Sequence, residues 1–346
     1  MRPLTLQRLF LQCSLLAVVL FVVVVIALKL GAVPVSLYGL GRDLISVLLH
    51  QTKALTSDYG MIVIEIRLPR ILLAIVVGAS LSVAGTSFQA LLRNPLADPY
   101  VLGVSSGAAV GAILATIAQI HLALPTWLAT LTTPIGAFLG ALSTIAAVYL
   151  LGRREGLIDS GTLLLAGVIS TSFLSAVIIF LMSTLSRDIR GMSFWLMGDL
   201  SSSLQPSLRW VLGGGFLIAA GAIYTTAADL NLLLAGEKEA MHLGVDVRRV
   251  RLVVYIAASI LTGLAVSVSG AIGYVGILVP HAMRFLFGSD HRTLLPTAAF
   301  GGAIAVVVAD TLARTVVAPS EVPVGAVFAA IGAPLFIYLL RRGSLA

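Results

Sequence analysis

Ten stretches of this chain are apolar for long enough to cross a bilayer, and that pattern constrains the fold more than any motif does. They fall at about 9–30, 71–92, 100–120, 134–151, 162–185, 208–228, 249–269, 271–287, 294–318 and 322–340. A membrane-spanning helix takes roughly 20 residues. The expected fold class is therefore an all-α polytopic membrane protein with about ten transmembrane helices. Composition agrees, since 59% of the 346 residues are hydrophobic and only 11% are charged. A soluble domain carries about 25% charged residues, and a charge set this small cannot cover a soluble protein of this size. One membrane bundle absorbs residues 1–346 as a single domain.

The net charge of +7 would suggest nucleic acid in a soluble protein. Here Lys and Arg held in cytoplasmic loops explain it, and no basic run is interleaved with exposed aromatics. An even number of spans puts both termini on one side, which Arg2, Arg8, Arg341 and Arg342 mark as cytoplasmic. Thirteen of the 22 Lys and Arg residues then lie inside, so the outer positive charges need their own explanation. Cys13 is the only cysteine, which leaves no disulfide framework and no thiolate metal site. The run from Leu9 to Leu30 is too long for a signal-peptide core and reads as a retained first span.

Two segments are not membrane-like. Residues 31–70 mix Arg42, Asp43, His50, Lys53, Asp58, Glu65, Arg67 and Arg70 with apolar residues, as a surface-lying amphipathic helix would. Residues 229–251 are the most charged stretch and fall inside the cell. There is also an internal echo. Gly78-Ala-Ser-Leu-Ser-Val-Ala-Gly85 matches Gly263-Leu-Ala-Val-Ser-Val-Ser-Gly270. The same offset of 185 sets Pro95 on Pro280, Gly103 on Gly288, Pro134 on Pro319 and Gly140 on Gly325. The second and seventh spans run in opposite directions. Spans 2–5 and 7–10 (residues 60–185 and 249–342) thus form an inverted repeat of the kind alternating-access transporters use, with a cytoplasmic segment at 229–248 between them. Shared helix-packing glycines are the plainer alternative.

Catalytic chemistry is missing. The five histidines are scattered, H-E-x-x-H and G-x-S-x-G are absent, and none of Lys29, Lys53 and Lys238 follows a glycine, so no Walker A loop exists. No enzymatic activity, cofactor or metal is expected of this chain. An ion-coupled secondary carrier with inverted repeats is the alternative reading, but such carriers place ionisable relays mid-membrane. Only Asp310 sits there, four residues before Arg314 on the same helical face, which favours a structural ion pair.

Three groups of motifs then bear on function. Arg67-Leu-Pro-Arg70 leads through Gly78–Gly85 to Gln89-Ala-Leu-Leu-Arg-Asn-Pro-Leu-Ala-Asp-Pro99 and Leu102-Gly-Val-Ser-Ser-Gly107. Gly270-Ala-Ile-Gly-Tyr-Val-Gly276 leads to Pro280-His-Ala-Met-Arg284 and Asp290-His-Arg292. Ala309-Asp-Thr-Leu-Ala-Arg314 precedes Glu321-Val-Pro-Val-Gly325 and Gly332-Ala-Pro-Leu-Phe336. Over about 60–342 the chain resembles the permease subunits of ATP-binding-cassette importers for iron–siderophore, haem and cobalamin.

The resemblance implies a homodimeric permease in the plasma (inner) membrane of a prokaryote. Two ATPase subunits holding ATP and Mg would bind its cytoplasmic face, and a periplasmic or lipoprotein substrate-binding protein its outer face. It implies ATPase coupling through Leu234, Gly236, Glu237, Ala240, Leu243 and Gly244. It implies docking of the binding protein on Arg67, Arg70 and Arg314, where arginine suits bidentate pairing with carboxylates. It implies a cytoplasmic gate at Asp159, Ser160, Gly161 and Thr162. Iron–siderophore is the first expected cargo as the most numerous class, with haem and cobalamin next.

Overall fold

The computed structural model describes residues 5–31, 61–122, 125–154, 157–158, 160–184, 189–201 and 205–341. Of the surface helix expected over 31–70, residues 32–60 lie outside them, as does Asp159, while 61–70 form the entry to a long helix in which Arg67 and Arg70 are buried. The described helices are α1 (Leu6–Lys29), α2 (Leu68–Leu92, entered through a π-helical turn Ile62–Arg67), α3 (Val104–Leu122) and α4 (Thr126–Gly152). Next come α5 (Ser160–Thr184), α6 (Ile189–Leu196), α7 (Pro206–Thr225), α8 (Ala227–Ala235) and α9 (Glu237–His242). The chain continues with α10 (Val247–Ser269), α11 (Val275–Phe287), α12 (His291–Thr315) and α13 (Val324–Arg341). Among the described residues, extended pairing is confined to Arg153–Arg154 against Leu157–Ile158.

Among the described residues, eight helices are long and apolar enough to cross a membrane, and two shorter apolar ones, Val275–Phe287 and Val324–Tyr338, complete the ten stretches. The boundary between the seventh and eighth stretches, only one residue wide in the sequence, is a real break. Gly270 turns the chain at φ 63, Tyr274 is left-handed at φ 68, and α11 begins only at Val275. At 13 residues α11 falls short of the roughly 20 a full crossing takes. Non-helical backbone at such depth must be covered by protein, and it is. Ile272 is fully buried and donates its N–H to the Tyr100 hydroxyl at 3.0 Å.

The core is built around α2 and α10, whose serines, threonines and glycines are nearly all buried. α2 lies against α12 so closely that a Cβ on Gly78 would collide with the carbonyl oxygen of Gly302. Small residues of this kind let membrane helices approach backbone to backbone. Several of the buried hydroxyls turn back on their own helices: Thr86 donates to the Ser82 carbonyl at 2.8 Å and Thr262 to that of Ala258 at 2.8 Å.

Packing is balanced about the α2–α10 pair. α2 packs on α12 and α10 on α4; α3 pairs with α4, and α11 with α12; α5 packs on α4, and α13 on α12. These contacts relate α3 to α11. The ungapped offset of 185 instead carries Val104–Leu122 onto 289–307, nearly all of it in α12. The gap-free correspondence aligns residues 68–84 of α2 with 253–269 of α10 and breaks there, because residues 85–92, still helical in α2, fall on the turn at 270–274 and the start of α11.

Candidate functional site

α2 stops at Leu92, with Arg93 left-handed at φ 48. The two prolines that follow forbid a regular continuation. Asn94 folds its side chain back to accept the Leu96 N–H at 2.9 Å, and Asp98 caps a 3₁₀ turn over Pro99–Leu102 by accepting the Tyr100 N–H at 2.8 Å. Burial without a cationic partner pushes the Asp98 carboxyl up to about 6, against the lowering effect of the Tyr100 hydrogen bond. Gln89 ties this end of α2 to α11, donating to the Gly276 carbonyl at 3.0 Å and accepting from Arg284 at 2.9 Å.

Beside it sit the short helices α8 and α9, separated by Gly236 at φ 143, a conformation that only glycine adopts without strain. Gly244 at φ 86 ends the element, and Asp246 caps α10 by accepting the Arg249 N–H at 3.0 Å. The residues expected to couple to an ATPase divide into two groups. Leu234 and Leu243 are exposed (48% and 66%), together with Met241 at 54%, which sequence reasoning did not single out. Ala240 is fully buried, so it seats α9 on the core rather than facing a partner. Glu237 turns inward too. One carboxylate oxygen pairs with Arg93 at 2.9 Å and also with Arg251 of α10.

A second junction was not foreseen. Asn231 of α8 donates to Asp290 Oδ1 at 2.7 Å, and its own oxygen accepts the His291 N–H at 2.8 Å with the His291 ring Nδ1 also 2.8 Å away. Asp290 caps α12 by accepting the Arg292 N–H at 3.0 Å. Hydrogen bonds from Arg292 above all, joined by that of Asn231, hold its carboxyl down at about 2 despite partial burial. The Asp just before the α12 run could have been read as a cap; nothing near Asn231 announces its partners.

At the opposite end of α2 the three arginines expected to face a receptor are all buried, at 4%, 8% and 7% exposure for Arg67, Arg70 and Arg314. Arg70 donates to Asp310 Oδ1 at 2.8 Å and to Glu321 Oε2 at 2.8 Å, while Arg314 holds Asp310 Oδ2 at 3.0 Å. Asp310 is wholly buried, so the ion pair inferred from the spacing is present and has a third member. Arg67 caps the end of α1, donating to the Leu28 and Lys29 carbonyls at 2.7 and 3.2 Å. The last carbonyls of a helix lack intrahelical donors and favour a cation there.

Of the expected gate, Ser160 opens α5, Gly161 is exposed and Thr162 half-buried. The short pairing at 153–158 leads into this helix start. The Trp195–Asp199 segment meets the end of α10, where the Asp199 N–H reaches the Ser269 carbonyl at 2.8 Å.

Residues 19–342 match the FecCD transport family. A cobalamin import system permease protein of Halobacterium salinarum is 44% identical over 281 residues, covering 81% of this chain and 73% of that protein. A hemin transport system permease protein of Yersinia pestis is 43% identical over 288 residues, covering 81% and 83%. A solved structure of a metal-chelate type ABC transporter in an inward-facing conformation matches with a TM-score of 0.79 at 30% identity, over 95% of this chain and 98% of the solved one.

Proposed function

The chain belongs to the FecCD transport family, and from that premise we propose how this ABC importer permease works. Two copies enclose a pathway for a metal chelate in a prokaryotic plasma membrane, with both termini cytoplasmic. Spans 2–5 and 7–10 act as inverted halves that rock against each other, a reading supported by the balanced packing about α2 and α10. The observation that carries the proposal is the element α8–α9: a short, glycine-bounded pair of helices with exposed Leu234, Met241 and Leu243 on one side and an inward-tied Glu237 on the other. A solvated loop has no use for that apolar face; a partner's groove does. The partner is an ATPase subunit, which supplies the ATP and Mg that this chain has no motif to hold.

At the other end, a substrate-binding protein docks over Arg67, Arg70 and Arg314. In the undocked chain these charges are satisfied by Asp310, Glu321 and the end of α1. Glu321 is the half-exposed member, and a receptor carboxylate would compete with it for Arg70. Ser160, Gly161 and Thr162, with Asp159 before them, form the inner gate. The cargo is a chelate in which an organic ligand encloses the metal. Ferric siderophore, haem and cobalamin are the three to try, since relatives above 40% identity carry the names of the last two.

The deciding experiment is uptake of a radiolabelled ferric siderophore, haemin or cyanocobalamin by cells lacking the native gene and supplied with this chain. Uptake of one of them should survive an ionophore, stop on ATP depletion, and be lost in Glu237→Lys while the permease still reaches the membrane. Uptake that follows the ion gradient would establish the secondary-carrier reading instead.

A further inference from the structure

An exposed face transmits a partner's motion only as far as it is fastened to something. Helices of nine and six residues have little stability of their own, so their attachments decide where a push is delivered. Among the described residues, each is fastened to long helices through a polar side chain. On α9, Glu237 meets Arg93, which ends α2 in a left-handed conformation, and it shares the same oxygen with Arg251 of α10. On α8, Asn231 commits both ends of its amide to the first residues of α12 and their cap: its NH₂ to Asp290 and its oxygen to the His291 N–H. The two junctions end on helices that are themselves locked together through Gly78 and Gly302.

We propose that Arg93 and Asn231 are positioning residues for transport, carrying the displacement of the coupling helices into the inner ends of α2 and α12. The proposal rests on the reading of α8–α9 as the seat of the ATPase. Arg93 and Glu237 form one mechanical joint whose polarity is fixed, because the Glu237 oxygen that meets Arg93 also meets the buried Arg251, and Asn231 needs an amide, because it must donate to a carboxylate and accept from a backbone N–H at once.

The test uses the permease purified with its own ATPase and reconstituted in liposomes. It counts molecules of ferric siderophore, haemin or cyanocobalamin imported per ATP hydrolysed, whichever the wild type accepts. Arg93→Gln, Glu237→Gln and Asn231→Leu should each lower this yield roughly 3- to 30-fold, with the ATPase still bound and still hydrolysing. Arg93→Gln combined with Glu237→Gln should lose no more than the larger of the two single losses. Single variants at wild-type yield, or a double variant whose loss is the product of its singles, would overturn the joint. Should a Gln variant fail to insert, Arg93→Ala and Glu237→Ala complete the same cycle with the same two outcomes. A wild-type chain that retains no ATPase would sink the seat and not the joint.

Discussion

The two ends of α2 handle charge in opposite ways. At the Arg67–Arg70 end, three guanidinium groups and Asp310 are all less than a tenth exposed and satisfy one another or the end of α1. At the Arg93 end, Arg93 and Glu237 are each more than a third exposed, Arg251 is the one buried partner, and the apolar side chains are left uncovered. Buried charges must be paired and, once paired, fix geometry. Exposed ion pairs contribute little to stability, so they can give way when a partner moves. The difference separates a rigid anchor from a movable joint within one helix of 25 residues.

The comparison breaks most easily at Asp310. Asp310→Ala would leave Arg70 and Arg314 buried without their shared counter-ion, a change that costs about 3–5 kcal/mol. The permease should then be recovered poorly and unfold well below the wild type on heating in detergent. Glu321→Gln removes the half-exposed partner only, and should lower stability by less than about 1 kcal/mol. Equal melting of all three proteins would mean that the anchor is no tighter than the joint.

A second, smaller effect is expected at the Arg93 end. Asp98 lies in the connection after α2, outside the spanning helices, with its carboxyl raised to about 6 by burial. A raised carboxyl binds its proton more tightly in the folded state than in the unfolded one. Its stabilising contribution is therefore complete below the unfolded value near pH 4 and is lost as pH rises through about 6. At about 1.4 kcal/mol per pH unit the swing is about 3 kcal/mol at most. Asp98→Asn keeps an acceptor for the Tyr100 N–H and removes the titration. Its melting temperature should vary less than the wild type's between about pH 5 and 7, and parallel curves would show that this carboxyl does not titrate in that window.

The spans were legible because a bilayer dictates length and apolarity, two properties that survive in a bare sequence. The Asp310–Arg314 pair was legible because its members are one helical turn apart. Arg70 was not, since it reaches the same carboxylate from 240 positions away and an arginine at a helix end reads as readily for a receptor as for the interior. The segment at 229–248 stood out by its leucines, glycines and charges, yet which way its side chains turn did not. Ala240 and Glu237 turn inward, and Met241 turns outward, through packing on α10 and on the end of α2 that no local spacing records. Asn231 had no signal at all, because its partners lie 59 and 60 residues further on.

The smallest expected change in stability is at the movable end. Leu243 is two-thirds exposed and closes α9 through its backbone N–H alone. Leu243→Asp removes no buried contact, and surface substitutions of this kind stay within about 0.5 kcal/mol. Melting should therefore be unchanged, while the ATPase subunit should no longer co-purify, because a carboxylate cannot enter an apolar groove without losing its hydration. A lowered melting temperature would show that Leu243 packs against the permease itself. Unchanged melting with the ATPase still bound would remove the apolar face from the coupling surface and leave the Glu237 joint to be reached from some other side.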